Sequence, residues 1–221
     1  MARQSPARKR LLVEATKRYY QALPGSPAEE HLASRGLLGQ SVAAETDRYR
    51  LGYVADPLPG HEPYRGMLAI PYLRATLDGQ WSVATIRFRC LRPNCEHADH
   101  GKYMSLPGDP PRLYNTLAIV NNDDPIGITE GEFDAQTASL CGIPTTGVPG
   151  ADAWRPHFRD AFAGFERVWV MYDGDKAGRM FATKVLADLP NGVGIPMPDK
   201  EDVSSFVAAH GRGALLERIK T

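Results

Sequence analysis

The chain has 221 residues, of which 43% are hydrophobic and 24% charged, a composition typical of a globular protein with a packed core. Its 26 basic and 26 acidic side chains give a formal net charge of zero, so any nucleic-acid-binding surface must be local. No run of 18 apolar residues and no signal-peptide core is present, which argues against membrane insertion or export. Three cysteines, an odd number, fit a reducing compartment, so the sequence predicts a cytoplasmic protein.

The first segment predicts two helices. Ser5 followed by Pro6 is typical of a helix start, and apolar residues then recur at helical spacing over residues 6–23. This helix is basic, which indicates either a solvated face or an attachment surface for a partner. Ser26 with Glu29 forms a capping-box pattern for a second helix, and Gly36 is a plausible end.

Strands follow these helices. The segments "MLAIPYL" and "WSVATIRFRCL" have the composition of strands, and Asp78-Gly79 between them predicts a hairpin turn. We therefore expect residues 1–116 to form a mixed α+β subdomain.

From residue 117 onward, strand and helix patterns alternate. The predicted strands are "PIGIT", "IPTTGV", "RVWVMY" and "GVGIPM". The predicted helices are "FDAQTASLCG", "ADAWRPHFRDAF", "AGRMFATKVLADL", "VSSFVAAHG" and "ALLERIK". Alternation of this kind predicts an α/β domain over residues 117–221, with a parallel sheet covered by helices. In such sheets functional residues gather at the carboxyl ends of the strands.

Carboxylates follow three of these strands. Glu130 comes after "PIGIT", and Asp173 and Asp175 come after "RVWVMY". The acids after "GVGIPM" are Asp199, Glu201 and Asp202. Taken alone, "DGD" could be a simple turn, because Asp and Gly are common turn residues. Convergent carboxylates, however, need neutralisation, and the usual partner is a hard divalent cation such as Mg²⁺ or Mn²⁺. Gly174 between the two aspartates leaves room for both side chains to face one ion.

Three segments resemble the signature motifs of the Toprim domain. They are "ITEGEFDA", "VMYDGDKAG" and "MPDKEDVSSF". The resemblance implies a Rossmann-like sheet, with Glu130 as a general acid/base or metal-linked carboxylate and Asp173 and Asp175 as metal ligands. Asp202 matches the third acidic position.

Two residues depart from the family pattern. Ser204 stands where an Asp-x-Asp motif would supply a second acid, which leaves the number of bound metals open. Ser204 could still hold a metal-bound water. Glu132 is an additional acid, and we expect it to face solvent at the start of a helix, where the helix dipole favours it.

The first half resembles the DnaG-type primase catalytic core. The segments "HLASRGL", "YRLGY", "YRGMLAIPY", "FRCL" and "HGKYMSLPG" occur in the family's order, so the resemblance covers about residues 27–221. It is strongest to compact primases of actinobacterial phages, which would place the protein in the host cytoplasm. The resemblance implies that Arg65, Arg89, Lys102 and Tyr103 line a groove for template and nucleotide phosphates, with Lys102 also taking part in catalysis. Each arginine could instead be a surface ion-pair residue.

The activity implied by this resemblance is the synthesis of RNA primers on single-stranded DNA from nucleoside triphosphates, through an RNA–DNA hybrid product. Two other hypotheses remain open: a Toprim nuclease that uses the same acids, and a non-catalytic DNA-binding or assembly module of a split primase. No zinc module precedes residue 27 and no helicase domain follows the last motif. We therefore expect either a stand-alone core or a subunit that works with a separate zinc-binding subunit and a replicative helicase.

One loop contains four residues of the types that bind zinc: Cys90, Cys95, His97 and His100. Their spacing does not match the common CxxC pattern. The alternative is a polar loop that leads into Lys102.

Overall fold

The computed structural model describes residues 4–38, 46–75, 80–120 and 124–220. The chain divides into two compact units, Met1–Asp109 and Pro110–Thr221. This division falls a few residues before the domain boundary predicted after residue 116. Within the described ranges, no helix is both long and apolar enough to cross a bilayer.

The first unit combines two helices with an antiparallel sheet. Its helices are α1 (Pro6–Gln21) and α2 (Pro27–Ser34), and a short 3₁₀ segment spans Glu62–Tyr64. Its strands are β1 (Gly52–Tyr53), β2 (Leu68–Ala75), β3 (Trp81–Arg89) and β4 (Tyr103–Ser105), paired in the order β1-β2-β3-β4. Both predicted helix starts are confirmed, because Ser5 Oγ accepts from Arg8 N and Ser26 Oγ from Glu29 N. The predicted turn at Asp78-Gly79 lies outside the described residues.

Helix α1 is part of the core of the first unit. Its buried face carries Leu12, Ala15 and Tyr19. The Tyr19 hydroxyl lies 2.9 Å from His61 Nδ1, so the buried polar end of this side chain has a partner. One turn before Leu12, on the same side of the helix, Arg8 Nη2 lies 2.7 Å from the buried carboxylate of Asp109. Arg8, one of the basic residues of the predicted helix, therefore forms an ion pair inside the unit.

The second unit contains a parallel sheet flanked by helices. Its strands are β5 (Ile126–Thr129), β6 (Thr145–Gly147), β7 (Val168–Gly174) and β8 (Gly192–Asp199), in the order β6-β5-β7-β8. Its helices are α3 (Leu117–Val120), α4 (Glu132–Leu140), α5 (Lys176–Asp188) and α6 (Val203–Arg218). All three strand pairs are parallel. The predicted α/β fold, with a helix-flanked parallel sheet and a mixed α+β part, is confirmed.

The predicted helix over "ADAWRPHFRDAF" is wrong. The segment instead forms two 3₁₀ turns, Ala151–Ala153 and Pro156–Ala161. Pro156 lacks a backbone N–H and restricts the residue before it, and Arg155 is accordingly extended at φ −127°, ψ 137°. An apolar pattern compatible with a helix is therefore interrupted by one proline.

The two helices predicted at the end of the chain form one element, α6, with a break inside it. Gly211 lies at φ 82°, ψ 167°, which is outside the helical region and is readily adopted only by glycine. The helical turns before and after this residue pack on the sheet through Phe206 and Leu215.

Candidate active site

The carboxyl edge of the parallel sheet brings the predicted acids together. Glu130 directly follows β5, whereas Asp173 lies inside β7 near its end. The ladder between β7 and β8 is irregular between Tyr172 and Gly174, and the Asp173 N–H donates instead to Glu130 Oε1 at 3.2 Å. A local break in strand pairing therefore turns the backbone of one acid toward the side chain of the other.

The two glycines of "DGDKAG" allow close backbone contacts around Asp173. A Cβ on Gly174 would lie 1.7 Å from Pro198 O, in the neighbouring strand. A Cβ on Gly178, in the first turn of α5, would lie 2.2 Å from Asp173 O. We expected Gly174 to make room for carboxylates, but its contacts show that it makes room for the backbone of β8.

Burial and mutual repulsion act strongly on two of the acids. Burial, together with the charges of Glu130, Asp134, Asp202 and Asp175, raises the pKa of Asp173 to about 8. The pKa of Glu130 rises to about 7, mainly because of burial, with Asp175 and Asp134 adding to the shift. A hydrogen bond from the Asp173 N–H opposes the rise at Glu130. Both carboxylates thus lie in surroundings that disfavour their charged forms.

Asp175 and Asp202 also serve as helix caps. Asp175 Oδ1 accepts from Gly178 N at 2.8 Å at the start of α5, and Asp202 Oδ1 accepts from Ser205 N at 2.6 Å at the start of α6. Each cap uses one carboxylate oxygen and points the N-terminus of a helix at the edge where the acids meet. The partial positive charge there favours anions.

Asp134, four residues after Glu130, is a member of the cluster that the sequence analysis missed. Its side chain is buried, and Oδ1 accepts from both Ser204 N (2.9 Å) and Ser204 Oγ (2.7 Å). The Ser204 hydroxyl also lies 3.2 Å from Thr137 Oγ1. The signal was the four-residue spacing, which places both acids on one side of the strand-to-helix turn.

Ser204 thus orients Asp134 in this structure, whereas we had considered it as a holder of metal-bound water. Ser204→Ala should lower the free energy of unfolding by about 1–2 kcal/mol, because a buried carboxylate loses a hydroxyl donor. Urea unfolding of the variant measures this. Ser205→Ala, which changes the neighbouring serine in the exposed capping box, is the matched comparison and should cost less. Equal, negligible effects for both would contradict the assignment.

The expectation for Glu132 was wrong. Its side chain is only 2% exposed, although it begins α4. Position at a helix start predicted solvent exposure, but this end of the helix lies against the protein interior. Phe133 and Ala135, in the first turn of the same helix, are buried as well.

The donor set at this edge fits a hard divalent cation. It consists of carboxylates only, contributed by Glu130, Asp134, Asp173, Asp175 and Asp202. Oxygen donors with excess negative charge suit Mg²⁺ or Mn²⁺ rather than a softer metal.

In the first unit, the predicted phosphate-binding residues lie at one end of the antiparallel sheet. Arg89 ends β3 and is paired in register with Tyr103 of β4, and its Nη1 lies 2.6 Å from the Tyr103 hydroxyl. Lys102 directly precedes β4 and has an exposed side chain. Arg65 precedes β2, whose first residue, Leu68, pairs with Arg89. The Nη1 of Arg65 donates to Ala55 O at 2.8 Å.

Two further residues of α2 and its C-cap belong to this basic cluster. Burial, together with the positive charges of Arg89, Arg35 and Lys102, lowers the pKa of His31 to about 4. His31 is thus neutral at physiological pH, because burial and, to a smaller extent, the neighbouring positive charges disfavour its protonated form. The segment "HLASRGL" was recognised as part of the resemblance, but a role for His31 or Arg35 was not. An electropositive cluster of this kind suits phosphate groups.

Known proteins are similar to this chain in sequence and in fold. No protein-family model matches the chain. The Gene 57 protein of Mycobacterium phage D29 is 54% identical over 158 residues, which cover 71% of this chain and 99% of that protein. The chain belongs to the family of this phage protein. It also has the fold of DnaG-type primase catalytic cores, as the following structures show.

A DNA primase domain from Pseudomonas aeruginosa superposes with a TM-score of 0.76 at 23% identity, covering 96% of this chain and 78% of that one. The RNA polymerase domain of Mycobacterium tuberculosis primase DnaG, in complex with double-stranded DNA, gives a TM-score of 0.75 at 20% identity, covering 98% and 81%. The predicted DnaG-type fold and the predicted affinity to actinobacterial phages are confirmed.

Proposed function

We propose that this chain is a DNA primase catalytic core, a nucleotidyltransferase that joins nucleoside triphosphates into RNA on a single-stranded DNA template. The observation that carries the proposal is the convergence of acids from β5, β7 and the starts of α5 and α6, with raised pKa values at Glu130 and Asp173. The DnaG-type fold supports it, because the acids lie at the sheet edge where such folds bind ligands.

The acids have separate roles in this proposal. Asp173 and Asp175 hold Mg²⁺ or Mn²⁺, with Asp202 and Asp134 at the same edge. The metal supplies positive charge that stabilises the phosphates during transfer. Glu130, with a pKa near 7, can accept the proton of an attacking 3′-hydroxyl at physiological pH. Ser204 keeps Asp134 in place through two hydrogen bonds.

The basic cluster of the first unit binds phosphates of the template and of the incoming nucleotide. Arg89 is buried and is held by the Tyr103 hydroxyl and ring, the ring centroid lying 5.1 Å from the guanidinium carbon. A guanidinium fixed in this way is pre-organised for a phosphate oxygen. Lys102 adds a flexible positive charge at the same end of the sheet. Arg65 extends the surface along the start of β2.

The pH dependence of metal binding follows from the raised pKa values. Below about pH 7 Glu130 and Asp173 are largely protonated, so a metal must displace protons to bind. Apparent Mn²⁺ affinity should therefore rise between pH 6 and pH 8 by up to about tenfold per pH unit for each displaced proton. Electron paramagnetic resonance of free Mn²⁺ measures this, and Glu130→Gln should reduce the slope. An affinity independent of pH would contradict the assignment of these two groups.

The test of the proposed function is an incorporation assay on single-stranded DNA. The chain is incubated with Mg²⁺, labelled nucleoside triphosphates and template, with and without a zinc-binding primase subunit or helicase. Labelled RNA held in an RNA–DNA hybrid supports a primase. Cleavage of end-labelled DNA without incorporation supports the Toprim nuclease. DNA binding without either product, in every combination, supports a non-catalytic module.

A further inference from the structure

We propose that the loop between β3 and β4 holds one structural zinc ion through Cys90, Cys95, His97 and His100. One donor atom from each of these side chains lies within 4.8 Å of all the others. His100 Nε2 lies 3.6 Å from Cys95 Sγ and 3.9 Å from Cys90 Sγ. Tetrahedral zinc with ordinary bond lengths places sulfur and nitrogen ligands about 3.6 Å apart, so these two distances are close to those of a zinc site.

His100 is oriented as a zinc ligand. Its Nδ1 lies 3.0 Å from Gly101 O, so the proton on Nδ1 is donated to the backbone. This tautomer leaves a lone pair on Nε2, the atom that faces both sulfurs. A ligating histidine normally makes this second hydrogen bond, because it fixes the ring and its tautomer.

One ring nitrogen of His97 is available for metal coordination. Its Nδ1 is buried and has no hydrogen-bond partner among the described residues, which is uncommon for a buried polar atom. Its backbone lies at φ 55° and that of Asn94 at φ 54°, in the left-handed region that non-glycine residues seldom adopt. Two residues of the loop therefore have uncommon backbone conformations. The ring of His97 packs edge-on against the ring of His100, with centroids 5.3 Å apart.

The burial pattern of the loop points the same way. Residues 92–101 form no helix or strand, and the side chains in this range that are not exposed are Cys95, His97 and His100. Cys90, which directly follows β3, is buried. A loop without an apolar core of its own needs another source of order, and a metal held by inward-facing ligands supplies it. Four protein ligands leave no open coordination position, which is typical of a structural rather than a catalytic site.

The zinc would also hold in place the residues at the two ends of the loop. Cys90 N donates to Lys102 O at 3.0 Å, so the two ends of the loop are joined at the base. Arg89 and Tyr103, the next residue on each side, are hydrogen-bonded to each other. The site thus holds Lys102 beside the Arg89–Tyr103 pair. The metal-binding proposal does not depend on the proposed primase activity.

The test uses the full chain, purified under reducing conditions without chelators. Elemental analysis should find about one zinc per chain, and Co²⁺ in its place should give the visible bands of a tetrahedral site with a thiolate charge-transfer band. Cys95→Ser and His100→Gln should each weaken Co²⁺ binding by about 100-fold or more. Cys141→Ala removes the buried cysteine of the second unit and should leave both signals unchanged.

Absence of stoichiometric zinc together with absence of the thiolate band would overturn the proposal. A disulfide between Cys90 and Cys95 in freshly prepared protein, seen as a loss of two mass units, would also overturn it. If circular dichroism shows that a cysteine variant does not fold, His97→Asn decides the question. A weaker, shifted Co²⁺ spectrum supports the four-ligand site, and an unchanged one contradicts it.

Discussion

Asp173→Asn should abolish nucleotide incorporation, by about 1,000-fold or more, and at the same time stabilise the metal-free protein. The loss follows because the substitution removes a charged metal ligand. The stabilisation follows from the raised pKa: as pH rises from about 4 through about 8, the buried carboxylate becomes charged and the wild type loses stability. At pH 8 the gain in the variant should be about 1–2 kcal/mol once solvent screening is allowed for, and at pH 4 it should vanish.

The matched control is Asp160→Asn in the same unit. Asp160 is exposed, and within the described part of the chain its ion pair is with the neighbouring Arg159, whose Nε lies 3.5 Å away. Its replacement should change neither incorporation nor the pH dependence of stability. Retained activity in Asp173→Asn would remove this residue from the metal site. A variant that is both inactive and less stable at pH 8 would indicate that Asp173 has a structural role instead.

Gly174→Ala should unfold the second unit or destabilise it by about 3 kcal/mol or more. The added methyl would lie 1.7 Å from Pro198 O and 3.0 Å from Asp199 Cα, so β7 and β8 must separate where the acids leave the sheet. Backbone atoms cannot move aside as a flexible side chain can. Thermal and urea unfolding followed by circular dichroism measure the effect.

Gly164→Ala is the control for this substitution. Apart from Gly164 and its two chain neighbours, no atom of the described residues lies within 4 Å of a Cβ built on Gly164, and its backbone is outside the left-handed region. We expect a change of less than about 1 kcal/mol, in either direction. Similar stabilities for the two variants would show that the close approach of β7 and β8 at Gly174 is not required.

Much of the second unit could be predicted because its signals are local. Short Val- and Ile-rich segments alternate with helical patterns, and parallel strands have a fixed functional edge. The positions of Glu130, Asp173 and Asp175 therefore followed from the ends of two predicted strands. Their shared environment could not be predicted in this way, because burial and the repulsion between carboxylates depend on how the strands pair. The break in the ladder at Asp173 has no signature in the sequence.

The errors share one cause: a local pattern was overruled by a tertiary contact or by a single residue. Glu132 looked like a solvent-facing helix start but is buried against its own unit. The sequence allowed Ser204 to hold a metal-bound water but gave no sign of its bond to Asp134, a residue 70 positions earlier in the chain. Pro156 replaced a predicted helix with 3₁₀ turns. Pairings across such sequence distances cannot be read from periodicity.

The central claim is that the carboxylate cluster supports template-directed joining of nucleotides. The most direct measurement supplies homopolymeric or defined single-stranded DNA templates with Mg²⁺ and each labelled nucleoside triphosphate in turn, for the wild type and for Asp175→Asn. We predict that the wild type incorporates only the nucleotide complementary to the template, and that Asp175→Asn incorporates none. Incorporation that ignores the template, or that persists in Asp175→Asn, would contradict the claim.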